Sequence, residues 1–317
     1  RHLPGQWLTV RSGVRWADAE VAEGGRLALA DGSVVELPLH PWNHAPRELP
    51  QSAFETMRAW WEDALRAQHS HLTDALSGKR LHVLDQCVPV ELRGDTESAD
   101  VKDAFGLGSW LAALHARFVQ GHAMESPPAA LLEGPPASGK TSLISQVVMH
   151  TLLMAELVPI PIKVQQLQRR RLESPAAFDA AWNWIDAYLR LEHDETVYRT
   201  LRQAMAARRA LLLLDGLDEG GALRDEIELH VAEVLAPQGH VMLCTSRPAG
   251  LDKAGRFAGF RQLALAPLTE AQQTKVLEER LGAADAQRLL PYLDRLPRSG
   301  VDGDESGQDG LRVTSNP

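Results

Sequence analysis

The chain is poor in cysteine, in long apolar runs and in basic charge, and each shortage removes a class of protein. Its 317 residues hold two cysteines, Cys87 and Cys244, too few for a disulfide framework. Cys244 falls inside an apolar run that reads as a buried strand, so a reducing, cytoplasmic setting is expected. No apolar run approaches the roughly 18 residues that a membrane-crossing helix needs, and no signal peptide opens the chain. The net charge of −9 argues against a dedicated nucleic-acid binder, whose phosphate contacts need a basic surface. The one dense basic run, Arg169-Arg170-Arg171, reads as a solvated face at the edge of a helix. A hydrophobic content of 44% is enough for one substantial core and a smaller module. The sequence starts at Arg1 rather than methionine, and a piece of a larger protein is the expectation.

Against these absences stands one informative string, Gly134-Pro135-Pro136-Ala137-Ser138-Gly139-Lys140-Thr141. Its pattern is a glycine, four free positions, then Gly-Lys-Thr. An apolar run, Ala129 to Leu132, precedes it, and a helical pattern follows from Ser142. Strand, glycine loop, helix is the arrangement that phosphate binding requires. Backbone N–H groups at a helix start are unpaired, and the helix dipole adds positive charge there. Pro135 and Pro136 have no N–H, so the cradle falls to Ala137 through Thr141 with Gly134 at the turn. Lys140 would reach the β- and γ-phosphates, and the Thr141 hydroxyl would ligate Mg2+.

Downstream, Leu211-Leu212-Leu213-Leu214 followed by Asp215-Gly216-Leu217-Asp218-Glu219 suits a strand buried on both faces that ends in acid. Open α/β sheets bind ligands at that carboxyl edge. Asp215 is the expected partner of the magnesium shell, and Asp218 or Glu219 could orient or deprotonate an attacking water. A further apolar run, Val241 to Thr245, ends in Ser246-Arg247-Pro248. An arginine at that edge can feel a γ-phosphate and so tell ATP from ADP. The alternative for Arg247 is a surface cation at a strand end.

Taken together, these three strings resemble a NACHT domain of the STAND class of P-loop NTPases, over roughly residues 101 to 317. The resemblance implies phosphate and Mg2+ binding by Lys140 and Thr141, and Mg2+ binding by Asp215. It also implies support of hydrolysis by Asp218 and Glu219, and γ-phosphate sensing by Arg247. A family proline that touches the adenine would correspond to Pro317, in Asn316-Pro317. The implied fold is α/β, a parallel sheet in the order 5-1-4-3-2 flanked by helices. Strands are expected at 129–132, 157–164, 211–215, 240–245 and 261–265. The second contains Pro159 and Pro161, which a central strand resists and an edge tolerates. The order 5-1-4-3-2 places it there.

Elsewhere the pattern divides the chain into a small β-rich module at 1–50, a helical linker region at 51–100, the nucleotide domain at 101–267 and the start of a helical domain at 268–317. In the first, Arg26 to Ala30, Asp31-Gly32 and Ser33 to Leu37 form a hairpin signal within an SH3-like or barrel-like module. Phe54, Met57, Trp61 and Leu65 recur at helical spacing over 52–68, and residues 81–92 suggest one strand. Leu107, Trp110, Leu111, Leu114 and Phe118 share a face of the helix entering the nucleotide domain. Thr269 with Gln272 forms a capping-box pattern ahead of a helix toward Leu281, and 285–293 reads as another.

The expected function is a Mg2+-dependent ATPase that acts as a nucleotide-controlled switch, self-associates through its NTPase domain and answers to effector or sensor domains outside this chain. The alternative is a P-loop kinase acting on a small acceptor, which would need an acceptor pocket and an arginine-bearing lid that no string marks. A non-hydrolysing clamp fits poorly with an intact Lys140, Thr141, Asp215 and Glu219. No Asn-Lys-x-Asp string is present to read guanine, so ATP is preferred to GTP.

Overall fold

A computed structural model of the chain describes residues 7–12, 15–21, 26–29, 34–36, 49–74, 78–87, 91–94, 101–119, 126–136, 138–154, 156–248 and 255–293. At the N-terminal end β1 (Trp7–Ser12), β2 (Arg15–Val21), β3 (Arg26–Leu29) and β4 (Val34–Glu36) form an antiparallel meander in sequence order. The hairpin expected around Asp31-Gly32 is the β3–β4 pair, with Arg26 opposite Glu36 and Ala28 opposite Val34; its turn lies outside the described residues.

The main body is α/β, with a mostly parallel sheet of six strands flanked by helices. Its parallel strands are β8 (Ala129–Glu133), β9 (Val158–Lys163), β10 (Ala210–Asp215), β11 (Val241–Ser246) and β12 (Arg261–Leu265). Across the sheet the order is β7, β12, β8, β11, β10, β9. The member not counted from the pattern is β7 (Leu92–Gly94), antiparallel to β12 and three residues long, too short to register as a period. The strand expected over 81–92 is instead β6 (Arg80–His82), which pairs with β5 (His71–Thr73) in a separate two-stranded ribbon.

The aliphatic run of β10 shows why the sheet is buried on both faces. Ala210, Leu212 and Leu214 enter one core with Val158, Ile160, Leu131 and Met242. Leu211 and Leu213 enter the other with Ala130, Leu132 and Leu243. The period of two thus sends alternate leucines to opposite sides. On the second side lie α2 (Ala104–Val119) and α3 (Lys140–Met154), contributing Leu107, Leu111, Leu143 and Val147. The first side is closed by α4 (Val164–Glu173), α5 (Pro175–Asp179), α6 (Trp184–Glu192), α7 (Glu195–Ala206) and α8 (Arg224–His230).

At the edge, β9 carries its two prolines, and among the described residues no further strand pairs there. Helix α1 (Gln51–His69) reaches that edge, and the Trp61 indole N–H donates to the Pro159 carbonyl at 2.9 Å. A helix over an exposed strand edge removes a template for aggregation. Beyond the sheet, α9 (Glu270–Leu281) opens on the expected capping box: Gln272 N donates to Thr269 Oγ1 at 3.3 Å and Thr269 N to Gln272 Oε1 at 2.8 Å. It is followed by α10 (Ala283–Leu293). The basic triplet is only partly a solvated face. Arg170 pairs with Glu192 and Glu173, and Arg171 lies over the Trp184 ring at 5.1 Å while pairing with Asp179. Among the described residues no helix is long and apolar enough to cross a membrane.

Candidate functional site

Four neighbouring parallel strands, β8, β11, β10 and β9, end at one edge of the sheet, and each delivers polar chemistry there. The turn after β8 carries the glycine string into α3. Gly134 is required by close approach, since a Cβ there would lie 2.5 Å from the Ser138 hydroxyl and 3.0 Å from Leu265. Its N–H donates to the Ser246 carbonyl at 3.2 Å, tying the loop to the end of β11. Lys140 folds back over the loop, its ammonium donating to the Gly134 carbonyl at 2.6 Å and the Pro135 carbonyl at 2.8 Å. Burial first, and Arg247 second, pull the Lys140 pKa below its ordinary value, while Asp218, Asp215 and Glu219 oppose that shift.

Asp215 is held at both oxygens. The Thr141 hydroxyl donates to Oδ2 at 3.1 Å, and the Thr245 hydroxyl donates to Oδ1 at 2.7 Å. Thr245 in turn accepts from the Gly216 N–H at 2.9 Å. Gly216 is left-handed at φ 82°, a conformation glycine adopts without steric cost, and a Cβ there would meet the Glu219 carboxyl carbon at 3.1 Å. The chain therefore turns sharply after Asp215, and the exposed Glu219 carboxylate lies back over the turn.

Arg247 and Asp218 form a two-point pair. Arg247 Nε stands 2.9 Å from Asp218 Oδ2, and the Arg247 backbone N–H donates to Asp218 Oδ1 at 3.1 Å. Both Asp218 oxygens are thus occupied by one residue, unlike those of Glu219.

These side chains line one cleft of about 460 Å³ that includes Ser138, Lys140, Thr141, Asp215, Asp218, Glu219 and Arg247. Gly139 lines it too, at φ 90°. Of the residues anticipated from the pattern, Ala137 and Pro317 lie outside the described residues. Three residues were missed. Thr245 orients Asp215. Lys163, whose Cα pairs with that of Asp215 across the β9–β10 ladder, and Gln165 add a second lysine and an amide to the cleft wall. A signal for Lys163 was present: a charge closing a buried strand marks the same sheet edge as Asp215.

The donor set is chemically consistent with a phosphate and its metal. Thr141 and Asp215 are hard oxygen donors, as Mg2+ prefers. The first N–H groups of α3 have no intrahelical acceptors. Among the described residues nothing hydrogen-bonds to the buried Ser138 hydroxyl.

Comparison with known proteins adds a limited likeness. No family model matches the chain, and no curated protein does. The solved structure of C. elegans PCH-2 is similar at 12% identity and a TM-score of 0.35, covering 82% of this chain and 82% of that one. A chain of the E. coli MS115-1 HORMA:CdnC:Trip13 complex is similar at 15% identity and a TM-score of 0.39, covering 62% of this chain and 74% of that one. Neither is a NACHT protein, so the NACHT resemblance is corrected here. A strand, a glycine loop and a helix, with an acid closing a neighbouring strand, recur across P-loop folds and so do not mark one family. Asp218, one of the acids in the strings behind that resemblance, is paired locally with Arg247.

Proposed function

We propose that the cleft binds a nucleoside triphosphate with Mg2+ and hydrolyses its terminal phosphate. The observation that carries this is the joining of Thr141, next to Lys140 on the glycine loop, to Asp215 at 3.1 Å across two strands. In this reading Lys140 leaves the Gly134 and Pro135 carbonyls for the β- and γ-phosphate oxygens, and the N–H groups at the start of α3 cradle the phosphate behind. Thr141 and Asp215 would hold the metal, which when bound neutralises charge developing on the phosphate oxygens. Thr245 holds Asp215 in place for that task.

Glu219 is the general base of this scheme, taking a proton from the attacking water, because the Asp218 carboxylate is engaged at both oxygens. Arg247 is the γ-phosphate sensor. A terminal phosphate competes with Asp218 for its guanidinium, so ATP and ADP leave the Arg247–Asp218 pair in different states. This supports a nucleotide-controlled switch, with self-association as its further expectation. ATP is the preferred nucleotide, for lack of a guanine-reading string.

Calorimetric titration of MgATP tests the reading. Lys140→Ala removes the cation facing the phosphates and should weaken binding by roughly a hundredfold or more, about 3 kcal/mol. Wild-type affinity in that variant would refute the phosphate assignment.

A further inference from the structure

A second cavity, of about 240 Å³, lies where the start of α2 and the turn after β6 meet the middle of α3. Val83 and Ala104 give it an apolar floor, while Cys87, Asp103, Gln146 and His150 bring polar groups to it. Gln146 decides its chemistry. Its side chain is only 5% exposed, yet among the described residues nothing bonds its amide. Gln146 lines the cavity, and an amide offers a donor and an acceptor side by side.

The neighbouring groups narrow the ligand. One Asp103 oxygen accepts from the Gly106 N–H at 2.8 Å, which leaves the other to accept. Burial lowers the His150 pKa and raises that of the Cys87 thiol, so both favour their uncharged forms. Phe105, 56% exposed at the rim, meets the His150 ring edge-on at 5.3 Å and presents an aromatic surface suited to a flat ring. We propose that this cavity binds an adenine-type purine base, its amino donor and adjacent ring-nitrogen acceptor paired with the Gln146 amide and its ring against Phe105 and His150.

The base has two possible sources. Ser142, Gln146 and His150 lie at four-residue spacing on one stripe of α3, and Ser142 lines the phosphate cleft. At about 1.5 Å of rise per residue, Gln146 and His150 stand about 6 and 12 Å beyond Ser142. The occupant is therefore either the base of the nucleotide held in the first cleft or a separate purine compound.

Cys87 supplies the readout, because the chain's other cysteine, Cys244, is fully buried within β11. Alkylation of Cys87 by iodoacetamide, followed by intact mass, should slow about tenfold when adenosine is present at ten times its Kd, since only unliganded protein reacts. Gln146→Leu should abolish that protection without changing the rate in the absence of adenosine. Gln146→Met serves the same purpose should the leucine variant fold poorly. Adenosine carries no phosphate, so this arm stands or falls separately from the phosphate cleft. Repeating it on ADP-saturated protein separates the sources: protection already complete with ADP identifies the nucleotide's own base, whereas protection that needs added adenosine identifies a separate occupant. No slowing by adenosine, or slowing that persists in the folded Gln146 variants, overturns the proposal.

Discussion

At the scale of single residues, the two neighbouring carboxylates after β10 are not equivalent. Asp218 is half of a two-point pair with Arg247, whereas Glu219 is exposed over Gly216. Glu219→Gln should leave MgATP affinity within about twofold and slow single-turnover hydrolysis by about a hundredfold or more, the usual contribution of a general base. Asp218→Asn should act through Arg247, narrowing the ratio of ATP to ADP affinity in the same direction as Arg247→Ala. Hydrolysis at the full rate in Glu219→Gln would clear that residue, and an unchanged affinity ratio in Asp218→Asn would dissolve the coupling to Arg247. The sequence made these candidates visible because the carboxyl edge of a buried strand is where ligands bind, and acids there are conspicuous. It did not rank them, because ranking depends on which oxygen is already bonded. Thr245 was illegible for the same reason: a threonine at a strand end has no special pattern until its hydroxyl is seen 2.7 Å from Asp215.

At the scale of elements, hydrophobic period and punctuation carried the reading. The four leucines of β10, the proline-bearing edge strand β9 and the capping box of α9 are each set by local chemistry, and each is found where that chemistry puts it. Helices α5 to α7 were not read, and α4 only as a helix beside the basic triplet. Their apolar positions, among them Leu167, Phe178, Ile185 and Leu201, pack one face of the sheet and carry no motif to draw notice. The three-residue β7 is set by pairing with β12 and has no period of its own. Packing at β10 gives a quantitative expectation. Leu213 is fully buried between β9 and β11, so Leu213→Ala should lower unfolding free energy by about 2–5 kcal/mol in urea titration, with the m-value unchanged. A loss below about 1 kcal/mol would show that the sheet centre relaxes around the cavity and is less tightly packed than its burial implies.

At the scale of the whole molecule, the end of the sheet remote from the cleft carries a buried polar cluster that makes stability depend on pH. His240, just before β11, is fully buried, with its ring edge-on to Trp182 at 5.5 Å and its Nε2 3.3 Å from Gln238 Oε1. Burial, and then the nearby Arg208 and Arg202 guanidinium groups, hold its pKa well below the ordinary 6.5. Folded, the ring stays neutral; unfolded, it takes up a proton near pH 6.5. The unfolded chain therefore binds more protons in acid, and stability present above about pH 6.5 is lost as pH falls below it, by at most about 1.4 kcal/mol per pH unit for one proton. His69, His115, His150 and His193 are shifted the same way by burial and add to the slope. Asp186, paired with Arg202 at 2.9 Å, works in the opposite sense: burial raises its carboxyl pKa, so acid relieves part of its cost. The raw slope therefore mixes both signs, and a substitution is needed to isolate the histidine. His240→Gln removes the titrating ring and retains a polar side chain beside Gln238. Between pH 7.5 and 5.5, the urea midpoint should fall less steeply in this variant than in the parent protein. Parallel slopes would mean that His240 takes its proton without unfolding, and that the arginines beside it move apart to admit the charge.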